Sequence, residues 1–452
     1  MHYDVLVLGS GPAGFYCALQ CARLGGNTIL VERERLGGTG FRWGCLPVKM
    51  MLDQVRTGME VEVDKDRFGQ TAPVITDTAR RIQEVETRIR RRLAAAGVEV
   101  ARGEGRFEDL NTIRLGKKAI TASQIVIATG TEPAGWPGIP LDGQSVISHR
   151  EILGLNEVPG HLLLLGGDVE GIEFACLFAR LGGRVTVIEK ERRILPGTDP
   201  DLAEPVERDL LSRGVSLRTG AEVSGCTIAG EATVRLRDGS TLQGDRILVT
   251  GLRRPNFPDG LERIGVEHDD QKIKVNAKLQ TSCRSIYAVG DINGITGMAH
   301  AAIQQGLLAA RRIAGPTDRP GSTEEPGPSA RTAPAGPPYP RAIYTIPEIA
   351  GAGYQENELR VQGIPCRRLG YRLADTWRGF SKGTEEGFLK VLAGENDRIL
   401  GLWICAADAS EQASLFGALL AEGLTTEGLR DALILHPTLG EAALEAVLEG
   451  DQ

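Results

Sequence analysis

The chain has 452 residues, a net charge of −7, 58 glycines and few aromatics (5%). That length asks for two to four domains. The acidic balance and the lack of a long basic run argue against nucleic acid as a partner, and no apolar run approaches the roughly 20 residues that cross a bilayer. The eight cysteines form no CxxC pair and have no histidines at metal spacing, so no metal is expected, and a reducing, cytoplasmic setting is.

From the N-terminus, Val5-Leu-Val-Leu-Gly9-Ser-Gly11-Pro-Ala-Gly14 reads as a strand, a GxGxxG turn and the start of a helix, not as a signal peptide. Gly9 allows the tight turn, Gly11 lets backbone approach a pyrophosphate, and Gly14 lets helix and strand pack closely. The strand Thr28-Ile-Leu-Val-Glu32 ends on an acid 23 residues after Gly9, near the spacing of a ribose ligand. A helix over Thr76 to Ala96 carries an apolar stripe of Ile82, Val85, Ile89 and Leu93. The arginines around it (Arg80, Arg81, Arg88, Arg90, Arg91 and Arg92) read as a solvated face.

The unit then recurs. Leu162-Leu-Leu-Leu-Gly166-Gly-Asp168-Val-Glu170-Gly171, a helix, and Val185-Thr-Val-Ile-Glu189 again place an acid 23 residues after the first glycine. Two such units predict an α/β chain with two Rossmann-like dinucleotide domains. Residues 315–340 hold eight prolines and almost no aliphatics, and read as a linker. Past them an α+β module is expected. Its strands are Phe388–Ala393 and Ile399–Ile404, paired across Gly394-Glu-Asn-Asp, and its helices are Ser410–Glu422 and Thr426–Leu435.

The segment Leu36-Gly-Gly-Thr39-Gly40-Phe-Arg42-Trp43-Gly-Cys45-Leu-Pro-Val-Lys49 resembles the active-site segment of the pyridine nucleotide–disulfide oxidoreductases, written GGTCxxxGCxPxK. Ala128-Thr129-Gly130 and Thr281-Ser-Cys-Arg-Ser-Ile-Tyr-Ala-Val-Gly290-Asp291 resemble that family's later FAD motifs, and His436-Pro-Thr-Leu-Gly-Glu441 its HPTxxE motif. The resemblance covers nearly the whole chain outside the linker. It implies FAD, bound through Gly9, Gly11, Gly14, Glu32, Thr39, Thr129, Gly130, Gly290 and Asp291. It implies a homodimer in which His436, oriented by Glu441, transfers protons in the partner subunit's active site. It makes Cys45 the flavin-proximal thiol and pairs Lys49 with Glu173 at the flavin edge. The implied division is 1–149 for the first part of the FAD domain, 150–270 for a nicotinamide-nucleotide-like domain, 271–314 for the returning FAD segment, 315–340 for the linker and 341–452 for the dimerisation domain.

Two departures stand out. The family's first cysteine is Gly40, and a disulfide needs two sulfurs, so the usual redox disulfide cannot form here. Cys45, at a helix N-terminus, is expected to have a lowered pKa, or else to be a buried structural thiol. Gly40, Arg42 and Trp43 are expected to shape a substrate pocket. The second GxGxxG carries Asp168 where backbone should meet pyrophosphate. Glu170 adds a second acid, and Leu252 replaces the glycine of a GRxPN turn. Gly166, Gly171 and Glu189 complete a nucleotide site, with Glu189 favouring NAD over NADP, but nicotinamide binding is expected to be weakened or lost. Three readings stay open: an FAD-dependent oxidoreductase acting on a sulfur-containing or other small substrate through Cys45, His436 and Glu441; a diaphorase-like enzyme passing electrons from NAD(P)H to a quinone or similar acceptor; and a redox-neutral or non-catalytic flavoprotein.

Overall fold

The structure is a computed structural model that describes residues 2–57, 73–314, 339–383 and 386–449. Nearly all of the proline-rich stretch predicted as a linker (315–338) lies outside the described residues. The two predicted units each build a sheet with a parallel core. In the first, β1 (His2–Leu8) lies between β2 (Thr28–Glu32) and β3 (Lys118–Ile127), both parallel to it. A late strand, β7 (Ile286–Ala288), returns to pair with β3. In the second, β4 (His161–Leu165) lies between β5 (Arg184–Ile188) and β6 (Arg246–Val249) in the same parallel sense. The strands of both sheets are largely apolar because both faces are covered, one by helices and the other by further strands and connecting segments.

The glycine turns repeat as well. A Cβ on Gly14 would collide with the carbonyl oxygen of Gly9, and one on Gly171 with that of Gly166. Each helix therefore sits hard against its own strand turn, α1 (Pro12–Arg23) in the first unit and α4 (Val169–Arg180) in the second. Gly14→Ala is expected to yield protein that has lost most of its flavin. Flavin absorbance per protein after purification measures it, and wild-type content would contradict it.

Helix α3 spans Pro73–Ala95, three residues earlier at its start than the pattern predicts. Ile82, Ile89 and Leu93 are buried and the six arginines are exposed, as the amphipathic reading requires. One of them, Arg92, stacks over the rings of Phe15 and Tyr16 on α1. Helix α5 (Ala299–Ala314) packs on α1 through Gly306, where a Cβ would strike the backbone of Ala13.

The C-terminal module is an antiparallel sheet in the order β8 (Pro340–Ile343), β9 (Glu348–Gly353), β12 (Ile399–Ala406), β11 (Phe388–Ala393), β10 (Arg367–Arg372). The predicted hairpin is thus β11–β12. The helix predicted over Thr426–Leu435 ends at Arg430. Leu433 and Leu435 looked like the next apolar turn, but both are fully or largely exposed and no packing holds them helical.

Lys390 ties this module to the second unit. Its ammonium is fully buried, 2.7 Å from Asp199 and 2.8 Å from Asp201. Removing one partner of such a pair leaves carboxylates buried without a counter-charge, which costs about 3–5 kcal/mol. Lys390→Met is therefore expected to lower stability by that order, read as an earlier urea midpoint. An unchanged midpoint would show the cluster to be energetically neutral.

Candidate flavin cleft and active site

A cleft of about 430 Å³ runs from the end of β2, past the N-terminus of α1, to α2 (Cys45–Arg56) and the first turn of α4. Gly9, Gly11, Glu32, Thr39, Gly40, Trp43, Cys45, Lys49, Thr129, Gly130, Glu173, Gly290 and Asp291 all line it. Residues scattered over the sequence thus meet on one surface. Gly14 lies behind the turn and contributes by letting helix and strand approach.

The residues fit an extended polar cofactor with a pyrophosphate. Helix α1 begins at Gly11 with no side-chain cap, and a Cβ there would meet nothing within 4 Å. Its first-turn N–H groups therefore face open space, the usual arrangement for a phosphate. Glu32 accepts from the Ser10 N–H and hydroxyl and from the Glu34 N–H, which fixes the carboxylate at the cleft wall. Thr129 Oγ1 is buried without a hydrogen-bond partner at the same wall. Asp291 lines the other end, its carboxyl pushed above the usual range by burial, with Arg253 and Thr131 pulling the other way.

The second nucleotide turn does not fit in the same way. Asp168 is the N-cap of α4 and accepts from the Gly171 N–H at 3.1 Å, so its own carboxylate occupies the place and one of the donors that an incoming phosphate would use. Its other oxygen lies directly over Gly251, where any Cβ would collide with it. Burial raises the Asp168 pKa, the Gly171 hydrogen bond opposes this, and Glu170, Glu189 and Glu173 push it further up. The Glu189 carboxylate is engaged by the N–H groups of Gly167 and Glu191 and, like Gly166 and Gly171, lies outside the cleft lining. Leu252 does not line the cleft either.

At the redox end, Lys49 Nζ lies 2.6 Å from Glu173 Oε2 and over the Tyr344 ring. The other oxygen, Glu173 Oε1, accepts from the Tyr344 backbone N–H at 2.9 Å. Burial opposes the Lys49 charge, but Glu173 and Cys45 outweigh it and hold the pKa up. Cys45 opens onto the cleft. Its pKa is raised, against the expected fall: desolvation by the surrounding protein exceeds the attraction of Lys49, and Glu173 and Asp291 add repulsion. A helix N-terminus is a smaller influence than the loss of water.

Gly40 also has a packing role. A Cβ there would lie 2.6 Å from Pro12 Cγ, within a single π-helical turn, Thr39–Trp43. Arg42, expected in the substrate pocket, points away from it. It is buried, 3.5 Å from Glu86 on α3, and stacks on the far face of Trp43. Trp43 remains in the cleft, with Arg150 over its ring, and Arg150 is in turn held by Glu34 at 2.6 Å. Arg150 and its neighbour His149 belong to the cleft although no motif named them, as does Arg253, the arginine of the GRxPN-like turn. The only sequence signal for His149 was the acid Glu170, which it meets at 2.8 Å.

His436 and Glu441 form the predicted dyad, Nδ1 to Oε1 at 2.6 Å, with Glu441 also accepting from the Thr438 N–H. Glu441 opens helix α6 (Glu441–Glu449). Its pKa is lowered, burial being outweighed by the His436 and Thr438 hydrogen bonds. His436 is largely exposed and does not line the cleft of its own chain. Among the described residues no group of side chains could hold a metal, and no helix is long and apolar enough to cross a membrane.

With the fold and cleft defined, the chain belongs to the pyridine nucleotide-disulphide oxidoreductases: that family's model matches residues 3–306, and its dimerisation-domain model matches residues 339–447. Members of the family are FAD-binding flavoproteins, and the chain is an FAD-dependent oxidoreductase with a dimerisation domain. It is 31% identical to a dihydrolipoyl dehydrogenase of Mycoplasma pneumoniae over 98% of this chain and 97% of that one. It is 33% identical to a soluble pyridine nucleotide transhydrogenase of Mycobacterium bovis over 99% and 97%. Its fold matches the HOCl-induced flavoprotein disulfide reductase RclA from Escherichia coli with a TM-score of 0.86, at 23% identity, over 99% of this chain and 100% of that one.

Proposed function

We propose that this protein is a homodimeric FAD-dependent oxidoreductase that works with one cleft thiol in place of a disulfide. Cys45 meets a sulfur-containing or other small substrate, and His436 of the partner subunit, oriented by Glu441, supplies or takes the proton. The observation that carries this reading is the company Cys45 keeps: it is the single cysteine lining the cleft among the described residues, and Lys49, Glu173 and Asp291 surround it. FAD supplies two-electron redox chemistry when bound. The protein's part is to hold Lys49 by Glu173 at the redox end, to present Cys45 to the cleft, and to fix the His436 tautomer so that Nε2 is the free nitrogen.

Asp168 supports a second element of the proposal, that reducing equivalents do not arrive from a nicotinamide dinucleotide bound at α4. The transhydrogenase named among the relatives favours the opposite reading. Anaerobic titration with NADH and then NADPH separates them, because bleaching of the flavin by either would establish a working nucleotide arm. Replacement of Cys45 by serine, with flavin content and turnover measured on the same preparation, tests the thiol's role.

A further inference from the structure

We propose that His149 and Glu170 form an acid–base pair serving a small organic alcohol or amine, which binds in the arm of the cleft beside α4 and acts there as the hydride donor. The inference rests on the reading that Asp168 keeps dinucleotides out of this arm.

The pair is built as an oriented base. His149 is 2% exposed and is among the residues that line the cleft. Nδ1 lies 2.8 Å from Glu170 Oε1, and Nε2 has no hydrogen-bond partner among the described residues. Glu170 is itself fixed, because its other oxygen accepts from the Gly251 N–H at 3.0 Å. Burial disfavours the Glu170 charge, but His149, Gly251 and Arg253 outweigh it and hold its pKa below the usual range. An ionised Glu170 takes the Nδ1 proton as a hydrogen bond, which leaves the lone pair on Nε2. A carboxylate that fixes a histidine tautomer while the second nitrogen stays free is the arrangement of a general base.

A purely structural pair is the competing account. It explains Nδ1 and leaves Nε2 as a buried polar atom without a partner, an omission worth about 1–3 kcal/mol. A ligand hydroxyl or amine removes that cost.

The surrounding charge selects the ligand class. Asp168 lines the same arm and forms no ion pair among the described residues. Glu173 is neutralised by Lys49, and Arg150 by Glu34. Arg253 donates to Thr131 through Nε, with Nη2 left free. An anion would face Asp168 at close range, whereas a neutral or cationic hydrogen donor would not. In the step proposed, the substrate's C–H bond and its O–H or N–H bond break and a C=O or C=N bond forms. The proton goes to His149 Nε2, and FAD, were it bound, would supply the two-electron acceptor for the hydride.

The test uses the FAD-loaded enzyme labelled with ¹⁵N-histidine, with 1-phenylethanol and 1-phenylethylamine as probes. In the wild type, His149 is expected as the Nδ1–H tautomer. At least one probe should shift its Nε2 resonance saturably and, without oxygen, bleach the flavin. H149Q, with flavin content and dithionite reducibility retained, is expected to slow bleaching at least about 100-fold, the usual weight of a general base. E170Q is expected to keep the histidine but lose the fixed tautomer, a change that a merely structural role would not couple to bleaching. No Nε2 shift with either probe, or equal bleaching in H149Q, overturns the proposal, and the wild-type titration decides even if H149Q fails to fold. Bleaching of the wild type by NADH would instead overturn the reading on which the proposal rests, whatever the probes do.

Discussion

Asp168→Gly is expected to strengthen the binding of a nicotinamide dinucleotide at the α4 turn. Two effects add. The substitution frees the Gly171 N–H that Asp168 now occupies at 3.1 Å, and it removes a negative charge from beside an incoming pyrophosphate. At about 4 Å and an effective dielectric near 20, one such charge pair is worth of order 4 kcal/mol, roughly a thousandfold in affinity. Burial and three neighbouring glutamates raise the Asp168 pKa, which makes that figure an upper bound on the gain. The fold should tolerate the change, because glycine in place of an aspartate cap costs only a few tenths of a kcal/mol. Calorimetry with NADH and anaerobic flavin bleaching measure it. Equal, weak binding by variant and wild type would mean that the block lies elsewhere in the arm.

Cys45→Ser is expected to lower turnover by at least about a thousandfold while leaving flavin content unchanged. The sulfur differs from oxygen in the one respect that matters here, because a thiolate is an available nucleophile and a serine hydroxyl is not. The pKa of Cys45 is raised before any substrate arrives, burial being the first cause and Lys49 the main counterweight. Activity should therefore increase with pH as the thiol ionises, and Lys49→Met should move that rise to still higher pH. The flavin-binding residues of β1, α1 and β2 do not touch this change, so flavin loss on substitution would point to a structural thiol. Full activity in the serine variant would exclude Cys45 from the chemistry.

Much of the fold was legible because its signals are local. A GxGxxG turn needs glycines at fixed spacing, and in both copies the last of them, Gly14 or Gly171, sits where a Cβ would strike the backbone of the first. The paired strands of the C-terminal module and the amphipathic α3 follow from residue periodicity. The cleft was legible as far as motifs reach: Cys45, Lys49, Glu173 and Asp291 do meet. What did not show was whatever depends on distant segments converging. Arg42 looked like a pocket residue and turns instead to Glu86 on α3. His149 sits in no motif, and its meaning depends on Glu170, 21 residues away. The desolvation that raises the Cys45 pKa did not show either, because a helix terminus is visible in sequence and the protein that surrounds the thiol is not.

Glu173 has no spare oxygen. One is held by Lys49 from the helix that carries Cys45, and the other by the main chain of Tyr344 at the edge of the C-terminal module. Three stretches of chain are thus pinned by a single carboxylate with no slack in it. If the module shifts on its seat, one of the two bonds must lengthen, and the ammonium at the redox end must move or lose its partner. The carboxylate works as a fulcrum: a small shift of the C-terminal module would register at the redox end as a change in the position of one charge.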